Sequence, residues 1–165
     1  MEKGCIIIIM GVSGCGKSTV GETLSKKTKI PFFDADDFHS KTNITKMNSG
    51  ISLNDSDRYP WLRLLADKIE TWSLSRGAIL ACSALKEEYR AILASKHKNI
   101  FWVFLWGEKN LIGSRIAQRK EHFMSPTLID SQFKDLEVPK YGLHINISKT
   151  VEEIAEEIIN KIEQK

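Results

Sequence analysis

The residues best equipped to do chemistry are Gly11-Val12-Ser13-Gly14-Cys15-Gly16-Lys17-Ser18-Thr19. They fill the pattern G-x-x-x-x-G-K-[ST] at every fixed position, directly after the apolar run Cys5-Ile6-Ile7-Ile8-Ile9-Met10. Glycines at 11, 14 and 16 let the backbone curl inward so that several N–H groups face one concavity. Such a nest, continued by the positive end of a helix, holds phosphate anions. Lys17 adds a mobile charge for the β- and γ-phosphates, and the Ser18 hydroxyl a hard oxygen ligand for Mg²⁺. The pattern predicts a nucleoside triphosphate site formed by residues 11–19.

A second group is the acidic run Asp34-Ala35-Asp36-Asp37. Asp34 and Asp36 alternate at the end of a predicted strand, so their side chains diverge if extended geometry persists. One then reaches the Mg²⁺ shell while the other faces an acceptor hydroxyl and takes its proton late in phosphoryl transfer. The plainer reading is a pair of solvated turn carboxylates. Arg115 and Arg119, four apart, share a helix face at the entrance to the polar segment 120–127. That segment suits a lid, extending to about residue 135, whose arginine neutralises charge once water is excluded. Lys86 and Arg90 follow the third predicted strand, and Arg58 follows a polar loop. Three cations at one edge suit a substrate that bears a carboxylate. His39 either hydrogen-bonds a polyol or is simply solvated. His122 and His144 have no metal spacing, and Trp61, Trp72, Trp102 and Trp106 have apolar neighbours that suit core or interface. A guanine-reading N-K-x-D motif is absent, as is helicase or motor spacing.

These residues need a frame. Four consecutive isoleucines predict a fully buried parallel strand, followed by a helix over 17–27. Strands are predicted over 30–33, 78–82, 100–106 and 143–147. Helices are predicted over 58–74, 86–94 and 111–120, with short ones near 44–47 and before 135. The last helix is the clearest, with Val151, Ile154, Ala155, Ile158, Ile159 and Ile162 on one face and Thr150 as its cap. Alternating strands and helices predict a five-stranded parallel sheet covered on both faces. Ligands then bind beyond the carboxyl ends of the strands, which gathers the phosphate loop, the acidic run and residues 83–86 at one edge.

Length and charge narrow the classes further. A chain of 165 residues suits one domain, with no repeat or linker, and the net charge of +3 is spread along it. That argues against nucleic acid as the main partner. Three cysteines without paired spacing suit a reducing compartment. The start faintly resembles a lipoprotein signal, but the apolar run is short, Glu2 spoils the basic flank and the loop uses the same residues. No run reaches membrane-spanning length. A cytoplasmic protein is expected.

Taken together the motifs resemble the gluconokinase family, of the thermoresistant type. The marks are Met10 to Gly21, Asp34-Ala35-Asp36-Asp37-Phe38-His39, Asn43, Lys46-Met47, Leu53-Asn54-Asp55, Asp57-Arg58 and Pro60-Trp61-Leu62. Others are Ala81-Cys82-Ser83-Ala84-Leu85-Lys86, Tyr89-Arg90, Arg119, His122-Phe123-Met124, Ser131-Gln132-Phe133 and Leu136-Glu137. The likeness runs from Ile8 to about Pro139. After Glu137 the family's proline-rich stretch is shortened to Val138-Pro139-Lys140.

The resemblance implies a P-loop NTPase fold like the nucleoside monophosphate and shikimate kinases, with a mobile lid and commonly a homodimer. It implies ATP- and Mg²⁺-dependent phosphorylation of D-gluconate at its C6 hydroxyl, in gluconate utilisation feeding the pentose phosphate pathway. By the same analogy Asp36 holds the acceptor hydroxyl, Asp34 lies near Mg²⁺, Arg58 binds a carboxylate and Arg115 packs near adenine. Lys17, Asp36 and Arg119 are then the expected catalytic residues, with His39, Arg58, Lys86 and Arg90 gripping the acid. Two rival readings are another small-acid or polyol kinase and a nucleotide-binding regulator without phosphotransfer.

Overall fold

The run Ile6–Met10 forms β1, and each of its five residues is at most 1% exposed. Burial on both faces is what a continuous apolar strand demands, and only a central position in a covered sheet supplies it. A computed structural model describes residues 4–118 and 126–164. In it β1 lies between β3 (Ala78–Ala81) and β4 (Ile100–Trp106), with β2 (Phe32–Asp34) and β5 (Leu143–Asn146) at the edges. The order is β2-β3-β1-β4-β5, and every pairing is parallel.

Alternate residues of β1 feed two separate cores. Ile7 and Ile9 pack with α1 (Lys17–Thr28), α5 (Lys109–Ala117) and α7 (Val151–Glu163) through Val20, Leu24, Ile112, Ile116, Ile154 and Ile158. Ile6, Ile8 and Met10 pack on the other face against α3 (Asp55–Ser73) and α4 (Glu87–Leu93) through Leu62, Leu65, Ile69, Tyr89 and Leu93. Helices therefore cover both faces, as the sequence predicts. Two further helices, α2 (Lys41–Asn48) and α6 (Pro126–Asp135), lie in the connections.

Several boundaries move for identifiable reasons. The predicted helix over 58–74 starts at Asp55, because Asn54 and Asp57 form a reciprocal cap. Asp57 N–H donates to Asn54 Oδ1 (2.9 Å), and Asn54 N–H donates to Asp57 Oδ2 (3.1 Å). This satisfies two end groups that would otherwise lack partners. Pro60 falls within the helix. The short helix expected near 44–47 extends over Lys41–Asn48, capped by Ser40, whose hydroxyl accepts from Asn43 N–H. Buried Asn43 then donates to the Asp57 carbonyl, and Lys46 pairs with the Asp57 carboxylate at 2.7 Å, docking α2 on the start of α3. The last helix has the predicted Thr150 cap, completed by Glu153.

Candidate active site

Everything of chemical interest follows the carboxyl end of a strand. After β1 the chain turns through Gly11, at φ 143°, where a Cβ would stand 2.5 Å from the Leu105 carbonyl oxygen. Gly16 caps α1 in the left-handed region, at φ 93°. A side chain is excluded at the first position by space and strained at the second by backbone angle. The loop they allow packs its apolar members inward: Val12 and Cys15 are buried. The Lys17 ammonium lies across the loop, donating to the carbonyls of Gly11 and Val12 at 3.0 Å each. Thr19 is exposed on α1.

The acidic run meets this loop through one hydrogen-bonded chain. Ser18 Oγ donates to Asp34 Oδ2 (2.7 Å), while Asp34 Oδ1 accepts from Asp36 N–H (3.0 Å). Extended geometry does not persist past Asp34. The next four residues, Ala35–Phe38, form a 3₁₀ turn that Asp34 caps. The two carboxylates are thus separated by the turn, not by strand alternation: Asp34 faces the loop and the Asp36 side chain is 82% exposed. Ser18 and Asp34 present hard oxygens suited to a divalent cation that keeps phosphate and water ligands. Among the described residues no cluster of three or more His, Cys, Asp or Glu makes an all-protein metal cage.

His39 is not the solvated loop residue that one of the sequence readings allows. Its side chain is 4% exposed and stacks on Trp61, ring centroids 4.2 Å apart. Its Nε2 lies 3.6 Å from Asp36 Oδ1, and its buried Nδ1 has no hydrogen-bond partner among the described residues. Trp61 donates to the Ala35 carbonyl at 2.8 Å, so this indole supports the 3₁₀ turn as well as the histidine.

The basic residues divide into two kinds. Arg58 and Lys86 converge on Tyr89: Arg58 Nη1 donates to its hydroxyl (3.0 Å), and both cations lie over its ring, at 5.6 and 5.4 Å from the centroid. Asp55 closes the cluster, accepting from Lys86 at 3.1 and 3.3 Å and from the Tyr89 hydroxyl. The Tyr89 and Lys86 hydrogen bonds hold the Asp55 carboxyl below its ordinary range, and Asp55 in turn raises the Lys86 ammonium. Arg90 is different. It is 1% exposed, and all three guanidinium nitrogens are engaged by protein groups. Nη1 donates to the Ala84 and Leu85 carbonyls, Nη2 to the Glu137 carbonyl and Glu87, and Nε to Glu87 and Tyr141. The structure gives Arg90 the task of clamping the turn after β3, where Ala84 sits at φ 44°. A non-glycine residue holds that angle only when its surroundings enforce it. The expected grip on substrate does not fit a guanidinium so occupied.

Arg115 donates to the Ile147 carbonyl at 2.7 Å, tying α5 to the end of β5. Arg119, His122 and residues 120–125 of the expected lid lie outside the described residues. The remainder of that segment is α6. Its Ile129 is buried in the core, and Gln132 meets the phosphate loop: Ser13 N–H donates to Gln132 Oε1 (2.6 Å), and Gln132 Nε2 donates to Ser13 Oγ (2.9 Å). Asp55, Tyr89 and Gln132 received no role from the sequence, although all three lie within the stretches that carried the family likeness.

The shikimate kinase family model matches residues 13–164. A probable gluconokinase of Dictyostelium discoideum is 41% identical, over 96% of this chain and 86% of its own. The chain belongs to the gluconokinase family. A probable gluconokinase of Rattus norvegicus is 40% identical, over 98% of this chain and all of its own. The crystal structure of a gluconokinase from Sinorhizobium meliloti superposes with a TM-score of 0.88 at 33% identity, covering 99% of this chain and 94% of that one. Gluconokinase relatives therefore match well beyond the stretch 8–139 that carried the motifs.

Proposed function

We propose that this chain transfers the γ-phosphoryl group of ATP to the C6 hydroxyl of D-gluconate, giving 6-phospho-D-gluconate and ADP. The observation that carries the reading is the chain Ser18–Asp34–Asp36, which joins the phosphate loop to an exposed carboxylate across two strand ends. The names of the relatives supply the acceptor.

Phosphoryl transfer asks the protein mainly for positioning and charge neutralisation. Lys17, now spanning the loop carbonyls, would turn its ammonium to phosphates seated in the nest. Mg²⁺ held by Ser18 and Asp34 would neutralise charge on the phosphoryl oxygens. Asp36 orients the acceptor hydroxyl and takes its proton late, as a carboxylate suits a hydroxyl of high pKa. Arg58 and Lys86 bind the gluconate carboxylate, with Tyr89 and Asp55 fixing both cations before the acid arrives. His39 lends its Nδ1 to a polyol hydroxyl, while its Nε2, 3.6 Å from Asp36 Oδ1, helps to place that carboxylate. Arg119 adds charge from the lid, and Arg115 packs near adenine. The family likeness also favours a cytoplasmic homodimer.

The test is ADP release from Mg-ATP with D-gluconate and with a panel of other sugar acids and polyols, followed by locating the phosphate by NMR. Gluconate-dependent release with phosphate at C6 is expected. Release driven better by another acid would transfer the reading to that substrate. No acceptor-dependent release would leave a nucleotide-binding regulator.

A further inference from the structure

The two bonds between Gln132 and Ser13 join elements 119 residues apart. On α6, Ile129, Gln132 and Phe133 follow i, i+3, i+4 spacing and share one face, and Leu136 stands directly after the helix. Ile129 is buried in the core beneath the phosphate loop, with Phe133 packed against it, and Leu136 packs against both cores of the sheet. Directly beyond the helix, Glu137 is pinned to the loop that carries Lys86. Its N–H donates to the Leu85 carbonyl (2.9 Å), its Oε2 accepts from Glu87 N–H (2.7 Å), and its carbonyl accepts from Arg90 (2.8 Å). The C-terminal half of α6 and the two residues that follow it therefore make polar contacts with both the phosphate loop and the loop that carries Lys86.

We infer that Gln132 is a positioning residue for phosphoryl transfer, setting the Ser13 turn of the phosphate loop against the loop that carries Lys86. The amide is suited to this because one side-chain tip both accepts from the Ser13 N–H and donates to its hydroxyl. A carboxylate of the same shape keeps the acceptor but brings a negative charge to a loop that must hold a triphosphate. The inference rests on the phosphotransfer reading, but its nucleotide arm stands without the acceptor.

The experiment measures the Kd of a non-hydrolysable ATP analogue with Mg²⁺ for the full chain and for Gln132→Ala and Gln132→Glu, alongside melting temperature and steady-state kinetics. Gln132→Ala is expected to weaken the analogue about tenfold, because a Ser13 turn no longer held in place must be ordered when the nucleotide binds. KM for gluconate should rise several-fold, kcat should fall as well, and melting should drop modestly, as two lost intramolecular hydrogen bonds imply. Gln132→Glu should fold as well as wild type and bind the analogue more weakly than the alanine variant, increasingly so at low salt, because like charges face each other. A role in packing alone predicts wild-type nucleotide affinity in the isosteric glutamate variant, and that result would overturn the inference. So would an unchanged Kd in Gln132→Ala. Should Gln132→Ala fail to fold, the glutamate variant decides. If wild type shows no gluconate turnover, the acceptor reading fails while the nucleotide measurement still decides the role of Gln132.

Discussion

The nucleotide side and the acceptor side of this sheet edge are built in opposite ways. Residues 11–19 are one continuous stretch, a loop running into the first turn of α1, with Lys17 bonded to carbonyls five and six positions back. The acceptor side is assembled from distant pieces: Asp36 and His39 after β2, Asp55 and Arg58 at the head of α3, and Lys86 and Tyr89 after β3. A local site is held by backbone conformation, whereas a distributed one is held by side chains that must each be fixed by a neighbour. The first should fail all at once and the second piece by piece.

The largest expected effect is therefore on the local side. Lys17→Ala should depress turnover by about three orders of magnitude, because it removes the charge that the proposed reaction assigns to the transferring phosphoryl group and releases two loop carbonyls. Turnover within a few-fold of wild type would remove Lys17 from the mechanism. On the distributed side, Arg90→Ala and Lys86→Ala should part company. Arg90→Ala strips the buried guanidinium from the Ala84 turn and should cost about 3–5 kcal/mol of stability in denaturant unfolding. Lys86→Ala should fold normally and raise KM for gluconate about tenfold or more, with KM for ATP unchanged. Identical effects from the two would erase the distinction between the clamp and the grip.

Smaller effects concern titration. The folded Asp55 carboxyl is held below its ordinary value by Tyr89 and Lys86. Its contribution to stability is present above the unfolded value of about 4 and is lost as pH falls through the folded one. Asp55→Asn should accordingly flatten the loss of stability below about pH 4, as followed by urea midpoints; an unchanged slope would mean the cluster does not hold Asp55 in solution. Burial pushes the Cys82 thiol up to about 12, and Cys15 is buried beside the loop. Native protein should therefore leave both unreacted toward a thiol reagent at neutral pH, with half-buried Cys5 the first to react.

The same contrast explains what could be read from the chain. The isoleucine run, the phosphate-loop pattern and the apolar face of α7 are local regularities, and they specified the central strand, the loop of residues 11–16 and the helices closely. Asp34 and Asp36 were legible as a pair, yet their separation arises from a 3₁₀ turn that spacing alone could not reveal. Arg90 and Lys86 share a helical spacing, but one points into the protein and the other toward Asp55. Which of two like-charged neighbours is buried depends on Ala84, Leu85 and Glu137, contacts that include one from a segment 47 residues away. Gln132 escaped for a similar reason, since its partner lies 119 residues earlier.

The measurement that tests the division between the two sides most directly is Asp36→Asn, assayed for gluconate-dependent ADP release and for affinity toward an ATP analogue. The account predicts turnover lower by about two orders of magnitude, the usual range for a lost acid–base group, with nucleotide affinity unchanged. Unaltered turnover, or a loss explained wholly by weaker nucleotide binding, would contradict it.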